Sequence, residues 1–305
     1  MKKVRFAIIF SAILLLSHMA IAEPSAEDLN RQLVGAAQNG NAEIVKMLLT
    51  QGANVEYRDE SDQTPLKVAT EHARVDVVRV LLDKGANVEA RSNSKSTPLN
   101  WAVGGDGNIP RNEYANRLEI VKMLLDKKAN TEEKTSSGAT ALLLAASNYR
   151  NTDILKLLLD RGANITAKND RGMTALMVAA LEDHTDAETL LLDRGAKIDE
   201  AASDGETALM YAVSQERIDS VSLLLSKGAN LEAVDNDGQT ALFRAAMDDD
   251  SHYDWGGNYV EVTKLLLSKG ANVNAKDDHG RTPLQMAIRA YKTEIIKLLQ
   301  KKGAH

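Results

Sequence analysis

A short acidic run with one histidine contains the residue types in this sequence best suited to metal chemistry. Residues 248–254 read Asp-Asp-Asp-Ser-His-Tyr-Asp, and carboxylate and imidazole groups are common ligands of divalent cations. The run does not fit a calcium-binding EF-hand loop, because its sixth and twelfth positions are Tyr253 and Tyr259 instead of glycine and glutamate. We favour a solvated acidic turn over a looser cation site. The candidate ligands of such a site are Asp250, His252 and Asp254.

Elsewhere the sequence lacks the short motifs that mark common catalytic and nucleotide-binding sites. It has no G-x-S-x-G elbow, phosphate loop, dinucleotide fingerprint or H-E-x-x-H zinc motif. It has no cysteine, which excludes disulfides, thiol nucleophiles and thiolate metal sites. The formal net charge of −6 argues against a nucleic-acid partner. We therefore expect a protein that is not an enzyme and uses no cofactor.

The first 22 residues have the composition of a secretory signal peptide. A basic start over 1–5 precedes an uncharged apolar run over 6–16, and Ala-Ile-Ala at 20–22 fits a cleavage site. The apolar run is short for a membrane span, so we expect cleavage after Ala22, not an uncleaved anchor. Cleavage removes three basic residues and changes the formal net charge from −6 to −9. These features predict a soluble protein of a bacterial periplasm, or a secreted one, without membrane attachment.

Seven threonines divide most of the remaining chain into similar units. Each threonine is followed by a leucine two residues later and an alanine five residues later. The intervals between them are 33, 43, 34, 33, 33 and 42 residues. A period near 33 residues indicates stacked supersecondary units and not one globular core. The threonines are Thr64, Thr97, Thr140, Thr174, Thr207, Thr240 and Thr282.

Within each unit the pattern predicts two short helices. In the unit over 64–96, the Thr64 hydroxyl can cap the first helix, and Pro65 suits the first helical position. A second helix is predicted over 75–82, and Gly85 follows where a left-handed residue ends a helix. Two helices of this length cannot bury their apolar faces alone, whereas stacked neighbours can.

This pattern resembles the ankyrin repeat. T-P-L-x-x-A is followed by L-L-x-x-G-A-N-V and then by x-D-G-x-T, and the resemblance covers about 31–305. It implies an all-α fold, an α-solenoid of about eight helix-turn-helix repeats with β-turn fingers and a cap at each end. Residues 23–30 are expected to form a short leader into this single domain. The expected repeats start near residues 31, 64, 97, 140, 174, 207, 240 and 282.

The ankyrin resemblance also implies a function, which is binding to another protein. The implied surface is the concave face made by the turn tips and first helices, and we expect the binding chain to be a monomer. Exported bacterial ankyrin proteins are similar to proteins that support an envelope antioxidant enzyme such as catalase. They are also similar to immunity proteins that inhibit a toxin. A secreted effector that binds a host protein is a further alternative.

Two insertions, near 104–116 and 248–258, are the clearest departures from the repeat. They are either neutral, since loop closure depends weakly on length, or they are contact loops. The second insertion favours contact, because it contains Tyr253, Trp255 and Tyr259 and rigid aromatic residues often anchor binding surfaces. Alternatively, these rings fold back onto a neighbouring helix.

The candidate partner-binding residues lie at turn tips, at exposed ends of first helices and in the second insertion. The tips are mostly acidic, which predicts a partner surface with positive charge. The candidates are Asp170, Arg171, Met173, Leu181, Asp204, Glu206, Asp237, Met247, Tyr253, Trp255 and Tyr259.

Four other residues break the repeat pattern. Lys95 and Lys128 replace glycines at turns that favour a left-handed backbone, which predicts either a different helix end or local strain. Glu188 and Thr263 occupy a position that holds valine or leucine in other second helices. An unpaired buried carboxylate is costly, so we expect Glu188 to reach the surface or to find a partner.

Overall fold

The structure, a computed structural model, describes residues 24–93, 95–104, 113–247 and 258–305. Over these residues the protein is helical and has no β-strand. The predicted signal peptide lies outside the described residues, as do Tyr253, Trp255 and the predicted cation ligands. In the part of the chain that is described, no helix has both the length and the apolar character needed to cross a bilayer.

Sixteen α-helices form eight consecutive pairs in the described ranges, with one short 3-10 turn at Tyr149–Asn151. In chain order the helices are α1 Ala26–Asn39, α2 Ala42–Thr50, α3 Pro65–Glu71, α4 Val75–Asp83, α5 Pro98–Gly104, α6 Tyr114–Asp126, α7 Ala141–Ala146, α8 Thr152–Asp160, α9 Ala175–Leu181, α10 Thr185–Asp193, α11 Ala208–Ser214, α12 Ile218–Ser226, α13 Ala241–Ala246, α14 Tyr259–Ser268, α15 Pro283–Arg289 and α16 Thr293–Lys301.

The repeated threonines stand immediately before the first helix of each later pair, as the sequence predicts. The Thr64 hydroxyl accepts a hydrogen bond from the Lys67 N–H at 3.2 Å. This bond satisfies one of the backbone N–H groups that a helix start leaves without a partner. The same hydroxyl bond forms at Thr97, Thr174, Thr207 and Thr282.

Left-handed residues end the second helices. Gly85 follows α4 with a φ of 84°, and Lys128 follows α6 with a φ of 67°. A side chain makes this conformation unfavourable by about 1 kcal/mol or more. The sequence predicted either a different helix end or local strain at Lys128. The structure has the second, because the helix ends in the usual way and Lys128 adopts the strained left-handed conformation. Lys95 also has a positive φ, of 60°.

The helix pairs stack into a solenoid with one continuous apolar core. Each first helix packs on the first helix of the next pair, and each second helix packs on the next second helix. Leucine, valine and alanine side chains fill the layer between them. A second contact joins several neighbouring pairs at the loops after their second helices. There a carboxylate of one unit accepts the N–H of an asparagine in the next, as in Glu56 with Asn87 at 2.7 Å and Glu132 with Asn164 at 2.9 Å.

Two boundaries differ from the sequence prediction. Helix α1 begins at Ala26, so residues 26–30 are helical and not a leader; the Ser25 hydroxyl caps them and Leu29 is buried in the core. Helix α6 begins at Tyr114, so the end of the predicted first insertion is a helical turn. The buried Arg117 holds this turn, because its guanidinium donates to two backbone carbonyls of neighbouring helices at 3.0 and 3.1 Å.

Candidate functional site

The turn tips of the later units are joined to one another by backbone hydrogen bonds. The bonds run from Asp170 N to Ser137 O at 3.3 Å, from Ser203 N to Arg171 O at 3.0 Å, from Asn236 N to Asp204 O at 3.0 Å and from Asp278 N to Asp237 O at 3.0 Å. They connect five successive turns between the helix pairs. We call this row of turns, residues 137–138, 170–172, 203–205, 236–238 and 278–280, the tip ladder.

Glycine is required in the tip ladder for two separate reasons. Gly205 has a φ of 83°, which only glycine adopts without strain. In addition, a Cβ placed on Gly205 would lie 2.5 Å from the backbone nitrogen of Asn236 in the next tip. Because glycine has only a hydrogen atom as its side chain, neighbouring tips can approach closely enough for their backbones to form a hydrogen bond.

Four of the predicted partner-binding residues are exposed on the tip ladder. These are Asp170, Arg171, Asp204 and Asp237. The Asp204 carboxylate accepts a hydrogen bond from the Tyr211 hydroxyl at 2.9 Å, and the Arg171 guanidinium lies 6.0 Å from the centre of that ring. Burial and this hydrogen bond raise the pKa of the Tyr211 hydroxyl. The Asp204 tip is thus held by a side chain of α11 as well as by the ladder.

For Met173 and Glu206 the expected exposure is wrong. Each stands directly before a capping threonine, and they are 2% and 8% exposed. Met173 packs into the apolar core. The Glu206 carboxylate lies 2.5 Å from the Arg244 guanidinium. The same guanidinium lies 2.5 Å from the fully buried carboxylate of Asp235. At these two positions the side chain before the threonine points inward, which a period in the sequence does not reveal.

Burial raises the pKa of the Glu206 carboxyl, although the positive charge of Arg244 opposes this shift. Sequence reasoning missed Arg244 and Tyr211, which organise the region behind the acidic tips. Both stand four residues after a capping threonine. Their polar character at that repeat position is a signal that could have identified them.

The two apolar candidates at the ends of first helices are half-buried. Leu181 and Met247 both pack against the core, and the Leu181 carbonyl accepts a hydrogen bond from Arg217 at 3.0 Å. Each still leaves part of an apolar side chain accessible. They are consistent with a surface that combines apolar contact with charged tips.

Tyr259 links helix pairs within the array. Its hydroxyl donates to the Ser214 carbonyl at 2.9 Å, and the Lys292 ammonium lies 4.0 Å from the ring centre. For this residue the geometry favours the folded-back alternative over a projecting anchor. No group of three or more histidine, aspartate or glutamate residues in the described ranges is arranged to hold a metal. The predicted ligands at 250–254 lie outside those ranges.

Sequence reasoning also missed a buried charged cluster between the second and third helix pairs. The Lys67 side chain is only 3% exposed; its ammonium lies 2.5 Å from the Glu71 carboxylate and 4.2 Å from the centre of the Trp101 ring. Both contacts compensate for burial of the positive charge. The cluster joins neighbouring first helices, and its lysine stands three residues after a capping threonine.

Family comparison agrees with the fold described above. A family model that describes three consecutive ankyrin repeats matches the chain over residues 33–110, 112–202, 199–277 and 234–305. No curated protein matches the chain. The matched segments together cover nearly all of the helical array, and paired helices recur through them. The chain therefore belongs to the ankyrin-repeat family.

Proposed function

We propose that this protein binds a positively charged surface of another protein through the exposed acidic residues of its tip ladder. Ankyrin repeats are interaction modules that are generally not enzymes, and each repeat contributes a small part of a long binding surface. The observation that carries the proposal is the exposure of Asp170, Asp204 and Asp237 on turns whose backbones are bonded to one another. A preorganised row in which negative charge predominates suits a positively charged surface of a protein partner.

Distance and charge define what the partner must present. Neighbouring tips belong to helix pairs stacked about 10 Å apart, so lysine or arginine side chains at similar spacing would meet successive carboxylates. These contacts are solvent-accessible, and salt screens accessible charges over about 10 Å at 0.1 M ionic strength. The association should therefore weaken as ionic strength rises. Leu181 and Met247 add an apolar contribution that salt does not weaken.

The proposed location is the bacterial periplasm, where the chain would act as a monomer. The signal-peptide pattern over 1–22 supports this location. Two roles suit such a binder, namely inhibition of a toxin as an immunity protein and support of an envelope antioxidant enzyme. Mass spectrometry of the exported protein checks the location. The expected N-terminus is Glu23, and an intact Met1 start would contradict it.

A charge-neutralising variant tests the binding surface. The triple substitution Asp170→Asn, Asp204→Asn and Asp237→Asn removes three charges and keeps an acceptor oxygen at each tip. The matched control makes the same change at three exposed aspartates in the first turns of second helices. The control residues are Asp153, Asp186 and Asp219.

The assay measures binding of proteins captured from a periplasmic extract, at several salt concentrations. We expect a captured partner to bind the wild type and the control variant equally, and to bind the tip variant at least about tenfold more weakly. Salt should release the partner. Equal retention by the tip variant and the wild type would contradict a role for the tip ladder. Release of the partner by the control variant alone would place the surface on the second helices instead.

A further inference from the structure

One carboxyl group is completely buried between the second helices of the fifth and sixth pairs. Glu188 lies on α10 and has no exposed surface. Its position in the repeat is apolar elsewhere, apart from Thr263 on α14. The equivalent residues Val78, Val121, Leu155 and Val221 are all fully buried.

Glu188 has only part of the hydrogen bonding that an ionised carboxylate needs. Its Oε1 accepts a hydrogen bond from the Ser220 hydroxyl on α12. Its Oε2 has no hydrogen-bond partner among the described residues. The backbone N–H of the same serine donates to the Asp183 carboxylate at 3.0 Å. Two acidic side chains therefore converge on one serine, which carries no positive charge to balance them.

The surroundings supply no cation to Glu188 within the described structure. Helix α9, on which α10 packs, has no charged residue. Arg217, before α12, donates instead to the Leu181 carbonyl, and the His184 Nδ1 lies 3.0 Å from the Ala146 carbonyl. Of the other charged residues near the starts of α8, α10 and α12, Arg150 and Glu216 are half-buried, and the Arg150 guanidinium donates to the Tyr149 hydroxyl at 2.6 Å. The exposed ones are Asp153, Lys156, Asp186 and Asp219.

We propose that the junction between the fifth and sixth repeats is a pH-responsive joint, closed when the Glu188 carboxyl is protonated and loosened when it ionises. A neutral carboxyl costs much less to bury than a carboxylate. The ionised form is stabilised when water reaches Oε2, which requires α10 and α12 to separate. The Ser203–Arg171 bond of the tip ladder spans the same junction. The joint does not depend on the identity of any partner.

The expected pH window follows from the direction of the shift. Burial raises the pKa of Glu188 from 4.5 to about 7; the Ser220 hydrogen bond opposes this, and the Asp183 charge adds to it. The folded state therefore holds the proton more tightly than the unfolded chain. The stabilisation is fully present below pH 4.5 and is lost as pH rises through 7. The folded-to-unfolded ratio should fall by about a hundredfold between pH 5 and pH 8 from this group alone.

The test compares the full chain with variants that do not titrate at this position. Urea unfolding is measured from pH 5 to pH 8, and hydrogen exchange with mass spectrometry follows peptides from α10 and α12, with rates corrected for intrinsic exchange. In Glu188→Gln we expect the fall of about a hundredfold in the folded-to-unfolded ratio between pH 5 and pH 8 to disappear. This variant should also keep these peptides equally protected at both ends of the range. Glu182→Gln, at an exposed glutamate of the same repeat, should retain the wild-type pH dependence.

A second variant keeps the test decisive if the amide is poorly tolerated. Glu188→Val installs the residue that other repeats have at this position, as at Val78, Val121 and Val221, and we expect it to fold and to be insensitive to the same pH change. Wild-type pH dependence in both Glu188→Gln and Glu188→Val would overturn the proposal. Equal protection of α10 and α12 at pH 5 and pH 8 in the wild type would overturn it too.

Discussion

Substitution of the two glycines that flank the sixth helix pair separates backbone strain from contact between turn tips. Gly205 lies in the tip ladder and Gly228 follows α12, with φ values of 83° and 88°. A Cβ on Gly228 would meet no atom within 4 Å, whereas one on Gly205 would lie 2.5 Å from the Asn236 nitrogen. Alanine at either position bears the same left-handed strain. Only Gly205→Ala also pushes the next tip away.

The structure sets the size of the expected difference. Left-handed alanine costs about 1–2 kcal/mol, so Gly228→Ala should lower the free energy of unfolding by about that amount. Gly205→Ala should lower it by a further 1 kcal/mol or so, because displacing Asn236 breaks the 3.0 Å hydrogen bond to the Asp204 carbonyl. We therefore expect about 2–3 kcal/mol for Gly205→Ala.

The assay is urea unfolding followed by circular dichroism, with hydrogen exchange at the tips as a local measurement. The midpoint should shift without a change in slope if the denatured state is unaffected. Exchange of the Asn236 amide should become faster in Gly205→Ala and stay unchanged in Gly228→Ala. Equal destabilisation by the two substitutions, with Asn236 equally protected in both, would refute the contact argument.

Two further substitutions test single features of the array. Lys128→Gly should raise the free energy of unfolding by about 0.5–1 kcal/mol, because Lys128 has a φ of 67° that glycine adopts without strain. Lys127→Gly is the control and should not raise it, because Lys127 has a φ of −82°. A lower thermal midpoint for Lys128→Gly would contradict this prediction. Tyr259→Phe should lower the free energy of unfolding by about 1 kcal/mol, because the Ser214 carbonyl loses its 2.9 Å donor. Tyr291→Phe, at an 89% exposed residue, is the control and should match the wild type; equal thermal midpoints for both tyrosine variants would contradict the linking role.

Much of the fold could be predicted because the residues that start and end its helices act locally in the sequence. A threonine that caps a helix and a glycine that ends one act within a few residues, so they can be identified in a sequence. Their regular interval then predicts stacking, because short amphipathic helices bury their apolar faces only against neighbours. The first helix start was missed, because Ser25 and Leu29 extend the helix by contacts that the threonine period does not include.

The candidate site could be predicted only in part, because side-chain direction depends on the packed array. Asp170 and Asp204 were correctly placed at exposed tips, since turns between helices lie at the surface. Met173 and Glu206 were not, although they lie in the same turns. These two residues, each directly before a capping threonine, point into the stack, where the Arg244 guanidinium reaches Glu206.

The sequence by itself determined the repeat, the helix boundaries to within a few residues and the acidic character of the tips, because these depend on local patterns and composition. Only the tertiary structure decided which groups meet across neighbouring repeats. Ser220 reaches Glu188 from 32 residues away, and Asn236 approaches Gly205 from the next tip. Such contacts depend on the packing of one repeat against the next, which a single repeat does not contain.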